Sequence, residues 1–322
     1  MEIPYYNEAR VEELLDLEGC IVAMREAMKT LSSRGVAQPL RQIVRLEGDG
    51  LFGVMPGELG AEGGFGAKLV SVFGDPARPG RTRHRGVVAL YDGETGEIAC
   101  LADAEAVTTI RTACATAMAT DLLARSDARV LTIMGTGTQA RSHLRAVGRV
   151  RPFSEIRVWG RSAASAGALA EELASELAAP ISAMDDPREA VAGADVICTV
   201  TGSATPVLFD DWLDEGAHVN LVGSSFLGPV EVNSGLVAAG RYIADYRPSA
   251  LAQASELAIA REAGLVTDEH VVGEIGEVIF GRVPGRQHDA QLTIYKSLGH
   301  VVQDLAATAY VHRRARAAGE QM

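Results

Sequence analysis

The sequence predicts an α/β protein built around a Rossmann-type, doubly wound parallel sheet. Between Ala128 and Leu221, short apolar segments alternate with alanine-rich segments of helical character, which is the pattern of β-α-β units. The predicted strands of this region are VLTIMG, IRVWG, ISAM, DVICTV and HVNLVG. The first of them runs directly into GTGTQA, a glycine-bearing segment that lies where a helix should begin.

The segments on either side of this region have a different, α+β character. Apolar residues at helical spacing predict one or two amphipathic helices from Glu8 to Ser33. Short apolar runs separated by Gly, Pro and Asp predict strands from Leu40 to Asp103, and DGETG at Asp92 to Gly96 predicts a hairpin turn. Further helices are predicted from Glu105 to Arg125 and from Leu292 to Ala318.

The composition is that of a folded protein with enough apolar material for two domains. Of the 322 residues, 47% are hydrophobic and 22% are charged. The formal net charge of −12 argues against a nucleic-acid partner, because such binding depends on clustered Lys and Arg that neutralise phosphates. The short basic run from His312 to Arg316 is interpreted as the solvated end of a helix.

Neither export nor membrane insertion is expected from the sequence. The first residues carry acidic side chains and lack the apolar stretch of a secretory signal, and no apolar run reaches membrane-spanning length. Cys20, Cys100, Cys114 and Cys198 lie in apolar segments without the spacing of metal ligands. We therefore expect a cytoplasmic protein with reduced, buried cysteines and no metal site.

The segment GTGTQA predicts a dinucleotide-binding turn. Gly135, Gly137 and Ala140 fill the GxGxxG/A fingerprint, in which the glycines allow a tight turn close to a pyrophosphate and the alanine allows close packing of helix on strand. Thr138 and Gln139 complete the turn, where amides at the helix N-terminus would hold the phosphates. A purely structural glycine turn and a methyltransferase loop are the alternatives.

The end of the second predicted strand bears on the choice between NADP and NAD. An NAD-specific site offers a carboxylate to the ribose 2′-hydroxyl near this position, whereas this chain has Gly160, Arg161 and Ser162 after Trp159. A guanidinium and a hydroxyl suit a 2′-phosphate, so the sequence favours NADP. NAD is the alternative, in which Arg161 covers the adenine ring.

The carboxyl ends of two later strands are candidates for the nicotinamide side of the same crevice. Val200 and Thr201 follow the strand in CTVTGS, and Val222 and Gly223 follow the strand in NLVGSS. Ligands of doubly wound sheets bind at such strand ends.

Six segments together resemble the ornithine cyclodeaminase and mu-crystallin family: QPLR at Gln38, MPG at Met55, GAKLVS at Gly66, TTIRTA at Thr108, GTGTQA, and YKSLGHVVQD at Tyr295. The resemblance spans nearly the whole chain. It implies that a Rossmann domain, residues 121–296, is inserted into a second α+β domain, residues 1–120 and 297–322, that binds substrate and forms a homodimer. Family members include cyclodeaminases, amino-acid dehydrogenases, reductases of cyclic imino acids and a crystallin that binds a hormone.

The resemblance also assigns candidate site residues. It implies that Arg41, Lys68 and Arg111 grip a substrate carboxylate, which agrees with the chemistry of guanidinium and ammonium groups. His84 resembles a family histidine, although Arg85 replaces the glutamine that follows it in many relatives. The motif YKSLG is similar to a family stretch near the nicotinamide and contributes three candidates: Lys296, Ser297 and Gly299. A simple helix N-cap is the alternative interpretation of Ser297.

One departure from the family bears directly on the reaction. In cyclodeaminases, the segment that follows the strand in NLVG resembles VGGD, and its Asp is thought to assist amine deprotonation and ring closure. This chain has VGSS instead, with Ser224 and with Ser225 in place of the Asp. Serine cannot serve as an ionised general base near neutral pH without a partner. The sequence therefore favours NAD(P)H-dependent reduction of an α-imino acid, or the reverse oxidation of an amino acid. A cyclodeaminase and a non-catalytic ligand-binding protein are the alternatives.

Overall fold

The computed structural model describes residues 3–33, 38–48, 50–60, 63–74 and 82–319, with only the backbone described for residues 82–84. The chain divides into two compact units. Unit 1 comprises Met1–Arg111 and His300–Met322, and unit 2 comprises Thr112–Gly299. The domain boundaries predicted from the sequence, at 120/121 and 296/297, lie nine and three residues from these limits.

Unit 1 is a sheet with helices, built from a meander of strands. Its elements before the boundary are β1 (Tyr5–Tyr6), α1 (Glu8–Leu14), α2 (Leu17–Ser32), β2 (Gln42–Arg45), β3 (Leu51–Glu58), β4 (Phe65–Gly74), β5 (Thr82–Tyr91), β6 (Ile98–Asp103) and the start of α3 (Ala104–Leu123). The six-stranded sheet has the order β1-β6-β5-β4-β3-β2, in which β1 pairs parallel to β6 and the other neighbours are antiparallel. The strands predicted from Leu40 to Asp103 are confirmed, and the N-terminal segment, predicted to form one or two helices, forms two.

The two faces of this sheet differ in burial. Met55, Lys68, Val88 and Ala102 pair across the sheet in one row and are all buried. The C-terminal helix lies over this face, because a Cβ at Gly66 would meet Leu305 at 3.0 Å. Neighbouring side chains point to opposite faces of a strand, so the adjacent row belongs to the other face. That row, which contains Val54, Leu69 and Val87, is only partly buried.

The hairpin turn between β5 and β6 follows the prediction from DGETG. The Asp92 side chain accepts hydrogen bonds from the backbone N–H groups of Glu94 and Thr95, at 3.0 and 2.8 Å. Gly96 has a φ of 73°, a conformation that an L side chain rarely adopts. The local sequence is therefore sufficient to set this turn.

Unit 2 is the doubly wound domain that the alternating pattern predicts. Its elements are the end of α3, β7 (Val130–Met134), α4 (Thr138–Val147), β8 (Glu155–Trp159), α5 (Ala163–Leu173), β9 (Ile181–Met184), α6 (Pro187–Val191), β10 (Val196–Thr199), β11 (His218–Leu221), α7 (Ser234–Ala239), β12 (Arg241–Ala244), α8 (Arg247–Gln253), α9 (Ser255–Glu262), β13 (Val271–Glu274), α10 (Ile275–Ile279) and β14 (Thr293–Lys296). The eight strands run parallel in the order β13-β12-β14-β11-β10-β7-β8-β9.

The strand order reverses between β7 and β10, which makes this the topological switch point of the sheet. The two strand ends approach each other closely there, because a Cβ at Gly135 would lie 2.9 Å from the carbonyl oxygen of Val200. Gly135 also has a φ of 138°. A side chain is excluded at Gly135 by both the space and the backbone conformation.

The helix predicted from Leu292 to Ala318 is wrong in its first part. Thr293–Lys296 forms the fully buried strand β14 between β11 and β12, and helix α11 spans only Val301–Ala317. A short apolar run does not distinguish a strand from a helix by itself, and here pairing with two neighbouring strands decides the outcome. The N-cap of α11 is His300, so the alternative that Ser297 caps this helix is also wrong.

The described residues bear on two expectations from the sequence, that no helix spans a membrane and that the cysteines are reduced and buried. None of their helices is both long and apolar enough to cross a membrane. All four cysteines are free and buried, as the sequence predicts.

Candidate functional site

The turn after β7 leaves its backbone open to a ligand. Gly137 is the N-cap of α4, and no side chain caps the helix there. A Cβ at Gly137 would meet no described atom within 4 Å. Thr138 and Gln139 form the first residues of α4, while Ala140 is fully buried against the sheet. Exposed amides at a helix N-terminus beside an open backbone suit a pyrophosphate.

The residues after β8 form a second polar corner of unit 2. A Cβ at Gly160 would lie 2.6 Å from the Thr136 side chain, so Gly160 keeps the two turns close. Arg161 is exposed. Ser162 is the N-cap of α5 and accepts hydrogen bonds from the backbone N–H and the hydroxyl of Ser165, both at 3.2 Å. This corner combines a cation, two hydroxyls and a helix N-terminus.

The buried carboxylate of Glu231 accepts hydrogen bonds from residues at the carboxyl ends of both β10 and β11. One carboxylate oxygen accepts hydrogen bonds from the Thr201 backbone N–H at 2.6 Å and the Thr201 hydroxyl at 2.9 Å. The other accepts from the Gly223 N–H at 2.7 Å, the Ser224 N–H at 3.2 Å and the Thr199 hydroxyl at 2.9 Å. Burial raises the pKa of Glu231 above its usual value despite these donors. The predicted residues Thr201 and Gly223 are thus held side by side.

Lys296 lies beneath the loop that follows β11. Its ammonium donates to the Ser224 carbonyl at 2.5 Å and to the Ser224 hydroxyl at 2.7 Å, and pairs with Glu256 at 2.6 Å. Lys296, Ser224 and Glu256 are each at most 1% exposed. Ser225, the next residue, is partly exposed. The Lys296 ammonium is therefore one half of a buried ion pair with Glu256, and its predicted place near a nicotinamide remains a prediction.

The remainder of the YKSLG motif is shaped by Asp245. This buried carboxylate accepts hydrogen bonds from the backbone N–H groups of Leu298 and Gly299, both at 2.7 Å. Gly299 has a φ of 78°, which favours glycine. Ser297 is buried. These contacts turn the chain away from β14 before α11 begins.

In unit 1, two of the three predicted cations meet at one carboxylate. Asp304 Oδ1 accepts from Arg111 Nε at 2.9 Å and from Lys68 Nζ at 3.4 Å. Lys68 also donates to the Thr108 hydroxyl at 2.5 Å, and Arg111 Nη1 donates to Gln303 Oε1 at 2.6 Å. Lys68 is 6% exposed, Arg111 4% and Asp304 0%. Strand β4 and helices α3 and α11 bring the group together.

Arg41 belongs to the same electrostatic group. Its charge acts on both Lys68 and His300, and it lies just before β2. Burial lowers the pKa of His300 to about 4, so the imidazole is neutral at pH 7. Lys68 and Arg111 therefore share the carboxylate of Asp304, and Arg41 adds a further positive charge that acts on Lys68. The excess positive charge favours an anionic ligand.

The protonation of Lys68 is tuned by these neighbours. Burial lowers the pKa of Lys68 to about 8, Asp304 opposes this shift, and Arg111 and Arg41 add to it. Burial alone would raise the pKa of Asp304, but Arg111 and Lys68 hold it below the usual value. At neutral pH both partners are charged, and the ammonium is acidic enough to transfer a proton.

The backbone of His84 lies apart from this group. It pairs with Val72, whereas Lys68 pairs with Val88, four residues away along β5. At about 3.3 Å per residue, this corresponds to roughly 13 Å along the strand. The His84 side chain lies outside the described part of the structure, so its role stays a prediction.

Several residues of these two sites were not predicted from the sequence. Asp304, Gln303 and His300 lie within GHVVQD, which was recognised as part of a motif without a role for its members. An amide and an acid, Gln303 and Asp304, among the apolar residues at the start of α11 were the available signal. Glu231 and Glu256 offered no comparable signal, because their partners lie in distant segments of sequence.

The chain matches the model of the ornithine cyclodeaminase/mu-crystallin family over residues 5–319. A curated relative, the ketimine reductase mu-crystallin of Mus musculus, is 34% identical over 279 residues, which cover 86% of this chain and 85% of the relative.

Two solved structures are similar to the chain over almost its whole length. The Δ1-pyrroline-2-carboxylate reductase of Thermococcus litoralis, in complex with NADH and L-proline, has a TM-score of 0.93 at 27% identity and 98% coverage of both chains. An archaeal alanine dehydrogenase dimer with bound NAD has a TM-score of 0.91 at 28% identity, with 100% of this chain and 98% of the other covered.

We predict strong energetic coupling between Lys296 and Glu256. Lys296→Met should lower the free energy of unfolding by about 3–5 kcal/mol, because it leaves the Glu256 carboxylate buried without its cation. Lys296→Met combined with Glu256→Gln should lose less than the sum of the two single changes. Urea denaturation of the four proteins measures this coupling. Losses that add to within about 0.5 kcal/mol would show that the pair is not coupled.

Proposed function

Because the chain belongs to the ornithine cyclodeaminase/mu-crystallin family, we propose that it reduces an α-imino acid to the amino acid with NADH or NADPH, or catalyses the reverse oxidation. The observation that carries this proposal is the pair of buried cations, Lys68 and Arg111, on the buried carboxylate of Asp304, with the charge of Arg41 acting on Lys68. A cyclic imino acid such as Δ1-pyrroline-2-carboxylate is the expected substrate class, since the T. litoralis relative acts on that compound and holds its product, proline.

The cationic group has the chemistry to hold the substrate carboxylate. Arg111 uses Nε and Nη1 on Asp304 and Gln303, and no described residue accepts from Nη2. Lys68 has three N–H donors, of which Thr108 and Asp304 accept two. The donors that remain can bind a carboxylate, with the charge of Arg41 adding to the attraction.

The reaction requires a hydride at the imine carbon and a proton at the imine nitrogen. A bound NADH or NADPH supplies the hydride and is oxidised. Lys68 is the candidate donor of the proton, because its lowered pKa of about 8 leaves it protonated at neutral pH yet more acidic than an exposed lysine. The C=N bond thereby becomes a CH–NH bond, and Lys68 regains its proton from solvent.

Unit 2 has the features that a dinucleotide requires. The open backbone at Gly137, the uncapped N-terminus of α4 and the glycine-dependent approach at Gly135 suit a pyrophosphate at the switch point. Glu231 supports the neighbouring strand ends at Thr201 and Gly223, where the nicotinamide side is expected.

Within this function we propose a preference for NADP over NAD. Arg161, Ser162 and Ser165 surround the N-terminus of α5, and the end of β8 lacks an acid that would repel a 2′-phosphate. The relatives with bound NADH and NAD leave the opposite preference as the competing outcome.

We also propose that the chain forms a homodimer through the second face of the unit 1 sheet. Val54, Leu69 and Val87 form a paired apolar row on this face and are only partly buried. Contiguous apolar surface of this kind is rarely left in water. A second copy of the chain is the expected occupant, since the archaeal alanine dehydrogenase relative is a dimer.

The cyclodeaminase alternative lacks a general base at its expected place. Ser224 is committed to Lys296 and Glu256, and Ser225 carries a hydroxyl where the cyclodeaminases carry a carboxylate. Conversion of ornithine requires deprotonation of its α-amine before hydride transfer and a neutral δ-amine for ring closure. A preformed imine requires neither step.

We predict NAD(P)H oxidation with Δ1-pyrroline-2-carboxylate and little proline or ammonia from ornithine with catalytic NAD. Absorbance at the reduced nicotinamide band and chromatographic proline assays measure the two activities.

Lys68→Ala and Arg111→Ala should each lower kcat/KM by about a hundredfold or more and leave dinucleotide affinity nearly unchanged.

Lys29→Ala is the matched control, because Lys29 pairs with Glu26 at the surface. Robust proline formation from ornithine, or loss of dinucleotide binding in the Lys68 variant, would contradict the assignment.

We predict tighter binding of NADPH than of NADH. Arg161→Ala should reduce the NADPH affinity by about 1.5–3 kcal/mol and leave the NADH affinity almost unchanged, because a charge-assisted contact to phosphate is lost. Fluorescence titration of both cofactors measures the ratio. An equal loss for both cofactors would instead assign Arg161 to the adenine ring.

We predict a dimer of the 33.9 kDa chain in light scattering. Leu69→Glu should yield the monomer, because it places a charge in the middle of the apolar row. The control is Val22→Glu, at a valine that is already 61% exposed on α2. A monomeric wild-type protein would refute the proposed interface.

A further inference from the structure

Asp304 is an acid without solvent contact in the middle of a cationic group. It lies on α11, is 0% exposed, and uses a single oxygen, Oδ1, for both Arg111 and Lys68. Its other oxygen, Oδ2, is buried with no hydrogen-bond partner among the described residues. A buried carboxylate with an unsatisfied oxygen is costly to folding, which suggests that its role lies in the site.

We propose that Asp304 is a positioning residue of the reductase: it keeps Lys68 protonated for transfer to the imine nitrogen and fixes Arg111 in the orientation that receives the substrate carboxylate. The proposal rests on the proposed function for the roles of Lys68 and Arg111. The coupling of Asp304 to Lys68 can be measured without any substrate.

The orientation of Arg111 follows from two contacts on α11. Asp304 accepts from Nε and the neighbouring Gln303 accepts from Nη1. Gln303 is itself anchored, since its Nε2 donates to Met28 Sδ at 3.3 Å. A planar guanidinium held at two of its nitrogens has little rotational freedom, and Nη2 is left for a ligand. Lysine at this position could not be fixed in the same way.

The protonation of Lys68 depends on the balance of charges around it. Helix α3 contributes the cation Arg111 and the hydroxyl of Thr108, and Arg41 contributes a further cation. Helix α11 contributes Asp304, with His300 neutral at its N-terminus. Asp304 is therefore the one negative charge among these groups that opposes burial and the two guanidinium groups. Without it, Lys68 would release its proton at a lower pH.

The chain offers a direct test, because its sequence contains only three lysines, Lys29, Lys68 and Lys296. Lysine labelled with carbon-13 at the ε position gives three signals whose shifts follow ionisation, and Lys29→Arg and Lys68→Arg assign them. The wild-type Lys68 signal should titrate near 8. In Asp304→Asn, which keeps the shape but removes the charge, the midpoint should fall by about one to three pH units.

Activity should follow the same shift. A protonated Lys68 is present below its pKa and lost above it, so the high-pH limb of kcat/KM for imine reduction should move down by the same amount in Asp304→Asn. Asp92→Asn is the matched control, because Asp92 is an exposed acid of unit 1 whose contacts stay within its hairpin turn. It should leave both the Lys68 midpoint and the pH profile unchanged.

The possible outcomes separate the two proposals. An unchanged Lys68 midpoint in Asp304→Asn, or a wild-type midpoint below about 7, would overturn the role of Asp304. If Asp304→Asn does not fold, Asp304→Glu retains the charge but displaces it, and an unaltered kcat/KM in that variant would also refute the positioning role. A shifted midpoint in a chain that reduces no imino acid would instead reject the proposed function and leave the Asp304–Lys68 coupling intact.

Discussion

The burial of two cations, Lys68 and Arg111, against the carboxylate of Asp304 is the constraint that organises unit 1. An unpaired ammonium or guanidinium inside a protein costs far more than a single hydrogen bond returns, so Lys68 and Arg111 require Asp304 close by. The carboxylate comes from the last helix, although the cations come from a strand and from α3. Return of the chain to unit 1 after unit 2 is therefore necessary for this site to exist.

In unit 2, buried charged side chains stabilise the carboxyl ends of the parallel strands. Parallel strands end together at one edge of the sheet, where backbone N–H groups lose their partners. Glu231 accepts from the ends of β10 and β11, and Lys296 of β14 binds the loop at Ser224. Buried charges thus fix the strand ends in place from within, while the glycine turn at Gly135 and Gly137 stays open for an anionic ligand.

Local patterns in the sequence were sufficient for features that depend on neighbouring residues. The alternation of β7 to β11 with helices, the Asp92 to Gly96 turn and the fingerprint at Gly135 were all predicted from residue type and spacing. The strand β14 was mistaken for the start of a helix, because a strand of four residues is too short to show a distinct hydrophobic period. The roles of Asp304 and Glu231 were not anticipated for a different reason, namely that their partners are distant in sequence.

The sequence by itself determined the fold class and the family, and through the family motifs it predicted which cations would bind an anion. These conclusions rest on periodicity and on motifs, both of which are local properties of the chain. Only the tertiary structure decided which acid pairs with Lys68 and Arg111, that Lys296 forms a buried pair with Glu256, and that Thr293–Lys296 is a central strand. Each of these depends on the desolvation and pairing of groups from separate segments, which exist only once the chain has folded.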